Sequence, residues 1–199
     1  MPTAQIKRPR GRPRDPDIEP RVYAAALEVY SERGWYGFSL EAVGRAAGVG
    51  QAAMYRRWSS KEEVLAKAVT WAEVPWPHID SGESREDLLA VARHLLRSYR
   101  TPNGVVGLRM VLDARTNPDL ANLFTSRLAD AGADEVKGIV RRVMQRGDLR
   151  PPASVGSALQ TLIGGTLSHV LLNPTTGSAG ALSAADERYL RRLVGSLVT

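Results

Sequence analysis

"FSLEAVGRAAGVGQAAMYRRWSSKEEVL", residues Phe38 to Leu65, is the stretch on which the fold turns. Ser39 stands before a run in which Leu40, Val43 and Ala47 share one helical face, and a serine hydroxyl in that position satisfies free amides of the first turn. The tripeptide Gly48-Val49-Gly50 interrupts the helix: glycine supplies the left-handed residue that ends it, and Val49 folds its side chain inside the turn. Gln51 to about Trp58 then reads as a third helix. Met54 and Trp58, four apart, face inward, while Gln51, Ala52, Tyr55 and Arg56 lie on the opposite side, free to meet a major groove. Ser60, Lys61, Glu62 and Glu63 form an S-x-x-E capping box ahead of Val64, Leu65 and Ala68, which opens a fourth helix. Two short helices about a three-residue turn make a helix-turn-helix. An ordinary helical hairpin has the same outline, so the turn alone leaves both readings open.

Working outward, Ile18, Val22, Ala26, Val29 and Tyr30 recur at spacings of three and four and predict a first helix that stops near Gly34, followed by a short apolar link. On the other side, "VPWPHIDSGES", residues 74–84, carries prolines that cannot continue a helix and marks a boundary. Beyond it Leu88 to Tyr99, Val105 to Leu112 and Leu120 to Met144 read as three amphipathic helices. The run from Val155 to Leu171 is apolar along a broad stripe with Gly164 and Gly165 beside it, which predicts a helix buried on more than one side. A last helix, capped near Ser183, carries Leu190, Leu193, Val194 and Leu197. No strand-period segment interrupts this, so the fold class expected is all-α.

The 199 residues are 43% hydrophobic and 24% charged, the balance of a soluble globular protein, and no apolar run approaches the length expected of a bilayer span. A membrane partner is therefore not expected. The start lacks the apolar stretch of a secretory signal, which points to the cytoplasm. Without cysteine there is no disulfide, thiolate nucleophile or finger-type zinc site, and His78, His94 and His169 lie too far apart for a local ligand set; no metal or cofactor is expected. Five of the 27 basic side chains and none of the 21 acidic ones fall in the first 14 residues, so the net charge of +6 sits almost wholly on the N-terminal arm. Such an asymmetry suits a polyanionic partner, or a solvated tail that aids solubility.

The 38–65 stretch resembles the DNA-binding segment of the tetracycline-repressor (TetR) family, whose pattern runs roughly A-x-x-A-G-V-S-x-x-x-[LI]-Y-x-x-F-x-[SD]-K-E-x-L. Ala47, Gly48, Val49, Tyr55, Ser60, Lys61, Glu62 and Leu65 match it in register, and the resemblance covers about residues 20 to 68. It implies a three-helix DNA-binding head followed by a helical-bundle body for effector binding and dimerisation. On that basis the chain divides into a flexible basic arm (1–16), a helix-turn-helix head (17–73), a connecting segment (74–84) and a regulatory and dimerisation body (85–199). The resemblance further implies that Ser39 and Tyr55 donate to phosphates, that Lys61 pairs with another, and that Gln51, Ala52 and Arg56 lie nearest base edges. Gln and Arg offer bidentate edges to adenine and guanine, which agrees with this placement. Gly50 stands where the family has Ser or Thr, removing a hydroxyl; Trp58 replaces the usual Phe and asks for a roomier core.

In the arm, "PRGRP" at 9–13 resembles the core of an AT-hook: prolines keep the chain extended, and Arg10 and Arg12 suit a narrow minor groove, with diffuse phosphate attraction as the other reading. Trp71, His94, Met110, Phe124, Met144 and His169 are candidate lining for an effector pocket, although each residue of this kind is more often simple core. The acidic pairs Glu86-Asp87 and Asp134-Glu135 splay around a helix, and Gly164-Gly165 lacks the lysine of a phosphate loop, so no enzyme is expected. The expected function is a homodimeric regulator binding double-stranded DNA at a palindromic operator, a repressor released by a small, mainly apolar effector. Two recognition helices are needed because one supplies too few base contacts. The alternative is an architectural DNA-binding protein without an effector.

Overall fold

The computed structural model describes residues 17–72, 76–123, 131–151, 154–173 and 181–199. The first four helices are α1 (Ile18–Gly37), α2 (Leu40–Ala47), α3 (Gln51–Arg57) and α4 (Lys61–Trp71). α1 packs against α2 and α4, burying Val22, Ala26 and Tyr30 against Val43, Met54, Trp58, Val64 and Leu65. The stop expected near Gly34 is a kink, because Gly34 takes φ 63° and ψ −170° and one more helical turn follows it. A side chain at Gly34 would both strain that backbone and collide with the Arg109 guanidinium, so glycine is required there. The extra turn persists because it tucks Trp35 and Phe38 into the core, where their rings stack at 6.3 Å.

Six helices follow among the described residues: α5 (Ser84–Tyr99), α6 (Pro102–Asp113), α7 (Pro118–Leu123), α8 (Ala131–Gln145), α9 (Val155–Leu172) and α10 (Ala184–Gly195). The single helix read over Leu120 to Met144 meets two here, and 124–130 between them lies outside the described residues. Leu88, Leu89, Leu96, Ile139, Val143, Ala158, Leu162, Leu190 and Val194 form a second core, separate from that of the head. The two cores are not divided where the chain is. Val106 and Met110 of α6 and Leu120 of α7 come after the 74–84 segment, yet bury themselves in the head core.

α9 departs from the sequence reading in two ways. Its length and composition do reach what a bilayer span needs, contrary to the expectation above. It nevertheless packs on α5, α8 and α10, and buries Ala158, Leu162 and Thr166 there. It is also not covered on more than one side, since Ile163, Leu171 and Leu172 are exposed, Leu172 to 78%. The periodicity marks the apolar positions, but a single chain covers only one strip of them.

Polar contacts fix the body's helices relative to one another. Arg146, just past the end of α8, donates to Asp80 and to the buried Asp87, each at 2.9 Å, and Ser84 Oγ donates to Asp148 at 2.6 Å. Where α5, α9 and α10 meet, Asp186 receives Arg100 and His169 at 2.8 Å. An antiparallel bridge between Leu149 and Val198 ties down the C-terminal end.

Candidate nucleic-acid interface

The helix-turn-helix is set by local chemistry. Ser39 Oγ accepts the Ala42 N–H at 3.1 Å, Gly48 closes α2 at φ 66° and ψ 32°, and the Val49 N–H donates to the Gly44 carbonyl at 2.8 Å. Gly44 lets the turn close. A Cβ there would lie 2.9 Å from the Val49 carbonyl oxygen and 3.1 Å from Met54 Cγ, so even alanine would push α3 away from α2. Gly50 caps α3 with no side-chain hydrogen bond, as the missing hydroxyl implies.

On α3, Met54 is fully buried while Gln51, Ala52, Tyr55 and Arg56 are exposed, the division that the sequence spacing predicts. Trp58 finds its room in the core, 1% exposed, edge-on to Tyr23 with centroids 6.2 Å apart. Tyr55 is 55% exposed, and its hydroxyl donates to the Glu41 carboxylate. That hydrogen bond is the main cause holding the Glu41 carboxyl below its ordinary range and pushing the Tyr55 phenol up; Arg45 lowers Glu41 further. Neither Glu41 nor Arg45 stood out in the sequence. The signal was their spacing of four on α2, which places both on the side that meets Tyr55.

Lys61 is anchored within the protein: Nζ donates to the Trp35 carbonyl at 3.2 Å and lies 3.9 Å above its ring. One of its three donors is engaged, so the ammonium is held at the start of α4 with capacity for an anion. The capping box is displaced by one residue. Ser60 Oγ accepts the Glu63 N–H at 3.2 Å, but Glu63 reaches back to the Ser59 N–H and hydroxyl, both at 2.8 Å. With Lys67 as the main cause, these contacts hold the Glu63 carboxyl down to about 2. Trp35 also joins head to body. Its N–H donates to Asp113 of α6 at 3.3 Å, Tyr30 donates to the same oxygen at 2.8 Å, and Arg109 donates to the Ser31 carbonyl at 2.7 Å.

The candidate pocket residues are dispersed. Trp71, half exposed, lines a groove of about 260 Å³ between α1, α4 and α6 with Leu27, Glu28, Asn103 and Val106. Met110 is buried in the head core, and Met144 is exposed on α8. His94 lies tilted against Trp76 with ring centroids 4.1 Å apart, and burial pushes its imidazole pKa down; His169 is engaged by Asp186. Phe124, like Arg10 and Arg12, lies outside the described residues.

A short helix presenting polar side chains outward from a buried methionine, joined by a glycine turn to a capped partner, has the geometry of the helix-turn-helix of DNA-binding proteins. Two family profiles match the chain: "Bacterial regulatory proteins, tetR family" over residues 22–68 and "Tetracyclin repressor-like, C-terminal domain" over 78–196. The chain belongs to the TetR family of transcriptional regulators. It is 25% identical over 186 residues to the HTH-type transcriptional regulator YdeS of Bacillus subtilis, covering 93% of this chain and 90% of that one. It is 29% identical over 168 residues to AqdR of Rhodococcus erythropolis, covering 81% and 77%. Among solved structures it resembles Salmonella enterica GusR at a TM-score of 0.66 and 15% identity, over 90% of this chain and 95% of that one. A TetR regulator from Agrobacterium tumefaciens gives the same score and identity over 92% and 94%.

Proposed function

We propose that the chain is a cytoplasmic, homodimeric repressor that holds a palindromic operator through two α3 helices and lets go when a small, mainly apolar effector enters the body. The observation that carries this is the exposed side of α3, where Gln51, Ala52, Tyr55 and Arg56 stand clear of the core. Gln51, Ala52 and Arg56 lie nearest base edges, and Ser39, Tyr55 and Lys61 hold phosphates. The bare strip of α9 with Ile163, Leu171 and Leu172, beside α10, is the surface on which a second copy packs. Binding-site selection with the full chain is the test. A palindrome whose half-sites lie about one helical turn or more apart is expected, and a consensus without twofold symmetry refutes the paired heads.

Replacing Gln51 or Arg56 with alanine relaxes the selected consensus at one position per half-site, by roughly 1–3 kcal/mol for a bidentate contact. An unchanged consensus removes that residue from the base readers. The arm adds a minor-groove contact through Arg10 and Arg12. Converting both to lysine keeps the charge, yet lowers affinity for operators flanked by A·T tracts more than for G·C-flanked ones, because a hydrated ammonium does not exploit a narrow groove as guanidinium does. Titration of two operators that differ only in their flanks checks this. Parent-like binding of the lysine variant to both operators leaves the arm as a diffuse phosphate attractor.

A further inference from the structure

Glu41 is out of place on a surface that meets DNA. It projects from the first turn of α2 beside Arg45 and onto α3, where a carboxylate repels every approaching phosphate. Its partner is the Tyr55 hydroxyl, which has one proton to donate and so serves one acceptor at a time. We infer that Glu41 is a built-in stand-in for a DNA phosphate, occupying the Tyr55 hydroxyl in the free protein so that DNA binds only by displacing it. The inference rests on Tyr55 being a phosphate donor. Arg45, one turn further along α2, is near enough to lower the Glu41 pKa and offers the displaced carboxylate a cation. Neither Glu41 nor the phosphate reads a base, so the exchange weakens binding to all DNA alike. It lowers affinity for the operator and for non-specific sites by the same factor and leaves their ratio unchanged.

Two bland roles compete with this one. An acidic residue in a first turn stabilises the helix N-terminus, and removing any negative charge from this face favours DNA. A double-mutant cycle separates them, measuring the affinity of the full chain for a mixed-sequence DNA duplex. Glu41→Gln is expected to bind about three- to tenfold more tightly than the parent, the range for a partly exposed hydrogen bond to a charged group. In a Tyr55→Phe background the same change should gain less than about twofold, since no hydroxyl remains to be freed. Glu41→Ala repeats the cycle without a side-chain carbonyl that could take the hydroxyl in turn. Equal gains in both backgrounds, or no gain with Tyr55 intact, overturn the inference alone. A parent chain that fails to bind the duplex overturns the DNA reading beneath it.

Discussion

Trp58→Ala should abolish DNA binding while the body stays folded. Trp58 is 1% exposed, and it closes the head core beneath the turn, edge-on to Tyr23 and in the same cluster as Met54 and Leu65. Truncating a buried tryptophan costs about 3–5 kcal/mol, part lost transfer energy and part cavity. The loss is concentrated in one of two cores. The body core, built on Leu88, Leu96, Ile139, Leu162 and Leu190, shares no residue with the cluster around Trp58. Two observations are expected: no shift of a DNA duplex by the variant, and retention of most of the parent's helical circular dichroism with protection of α8 to α10 from proteolysis. Trp58→Phe installs the aromatic more usual at this position in the family, removes fewer atoms, and should weaken binding without abolishing it. Parent-like DNA affinity for the alanine variant would mean that the head does not depend on this core to hold α3.

What the sequence made legible, and what it did not, follows from how far apart the partners lie. The caps at Ser39 and Ser60, the turn at Gly48 and the inward Met54–Trp58 pair depend on residues within four positions of one another, so periodicity finds them. Gly34 was legible as a break. The helical turn beyond it was not, because that turn depends on burying Trp35 and Phe38 and on Arg109 and Asp113 arriving from α6. The spacing of Glu41 from Arg45 places it on a face of α2, but its role was not legible for the same reason: its partner is Tyr55, across the turn. Residue type alone leaves Met110 readable as pocket lining or, more often, as core, and tertiary packing places it in the head core. In α9 the pattern gave the apolar positions correctly. No one-dimensional pattern says which chain covers them, so a helix read as buried on more than one side is half bare in a single copy.

The second large effect concerns Asp186, buried where α5, α9 and α10 converge. Its carboxylate accepts from both terminal guanidinium nitrogens of Arg100 at 2.8 Å, from His169 Nε2 at 2.8 Å, and from the Ser183 N–H and hydroxyl at 2.7 and 2.8 Å. A carboxylate can only accept, so His169 donates to it from Nε2, while Asn173 Nδ2 lies 3.3 Å from Nδ1. The Arg100 and Asp186 side chains are only 7% and 4% exposed. Desolvation therefore offsets much of their attraction, and the pair as a whole stabilises little. Removing one member is different. Asp186→Ala strands a buried guanidinium, leaves His169 Nε2 without its acceptor and takes away half of the α10 capping box, at a cost of about 3–5 kcal/mol, or a fall in Tm on the order of 10 °C for a chain of this size. Arg100→Met with Asp186→Leu, which removes both charges, should cost less than either single truncation. Acid adds a second signature. Arg100 is the main cause holding the Asp186 carboxyl far below the usual carboxylate range, against the opposing effect of burial. A carboxyl lowered in the folded state contributes its full stability above the unfolded value of about 3.9 and loses it as pH falls below that toward the folded value. The parent should therefore lose stability more steeply below about pH 4 than Asp186→Ala does, since the variant has no such proton to take up. Thermal melts of both proteins from neutral pH into that range supply the comparison, and parallel acid limbs would show that Asp186 is not what links α10 to α5.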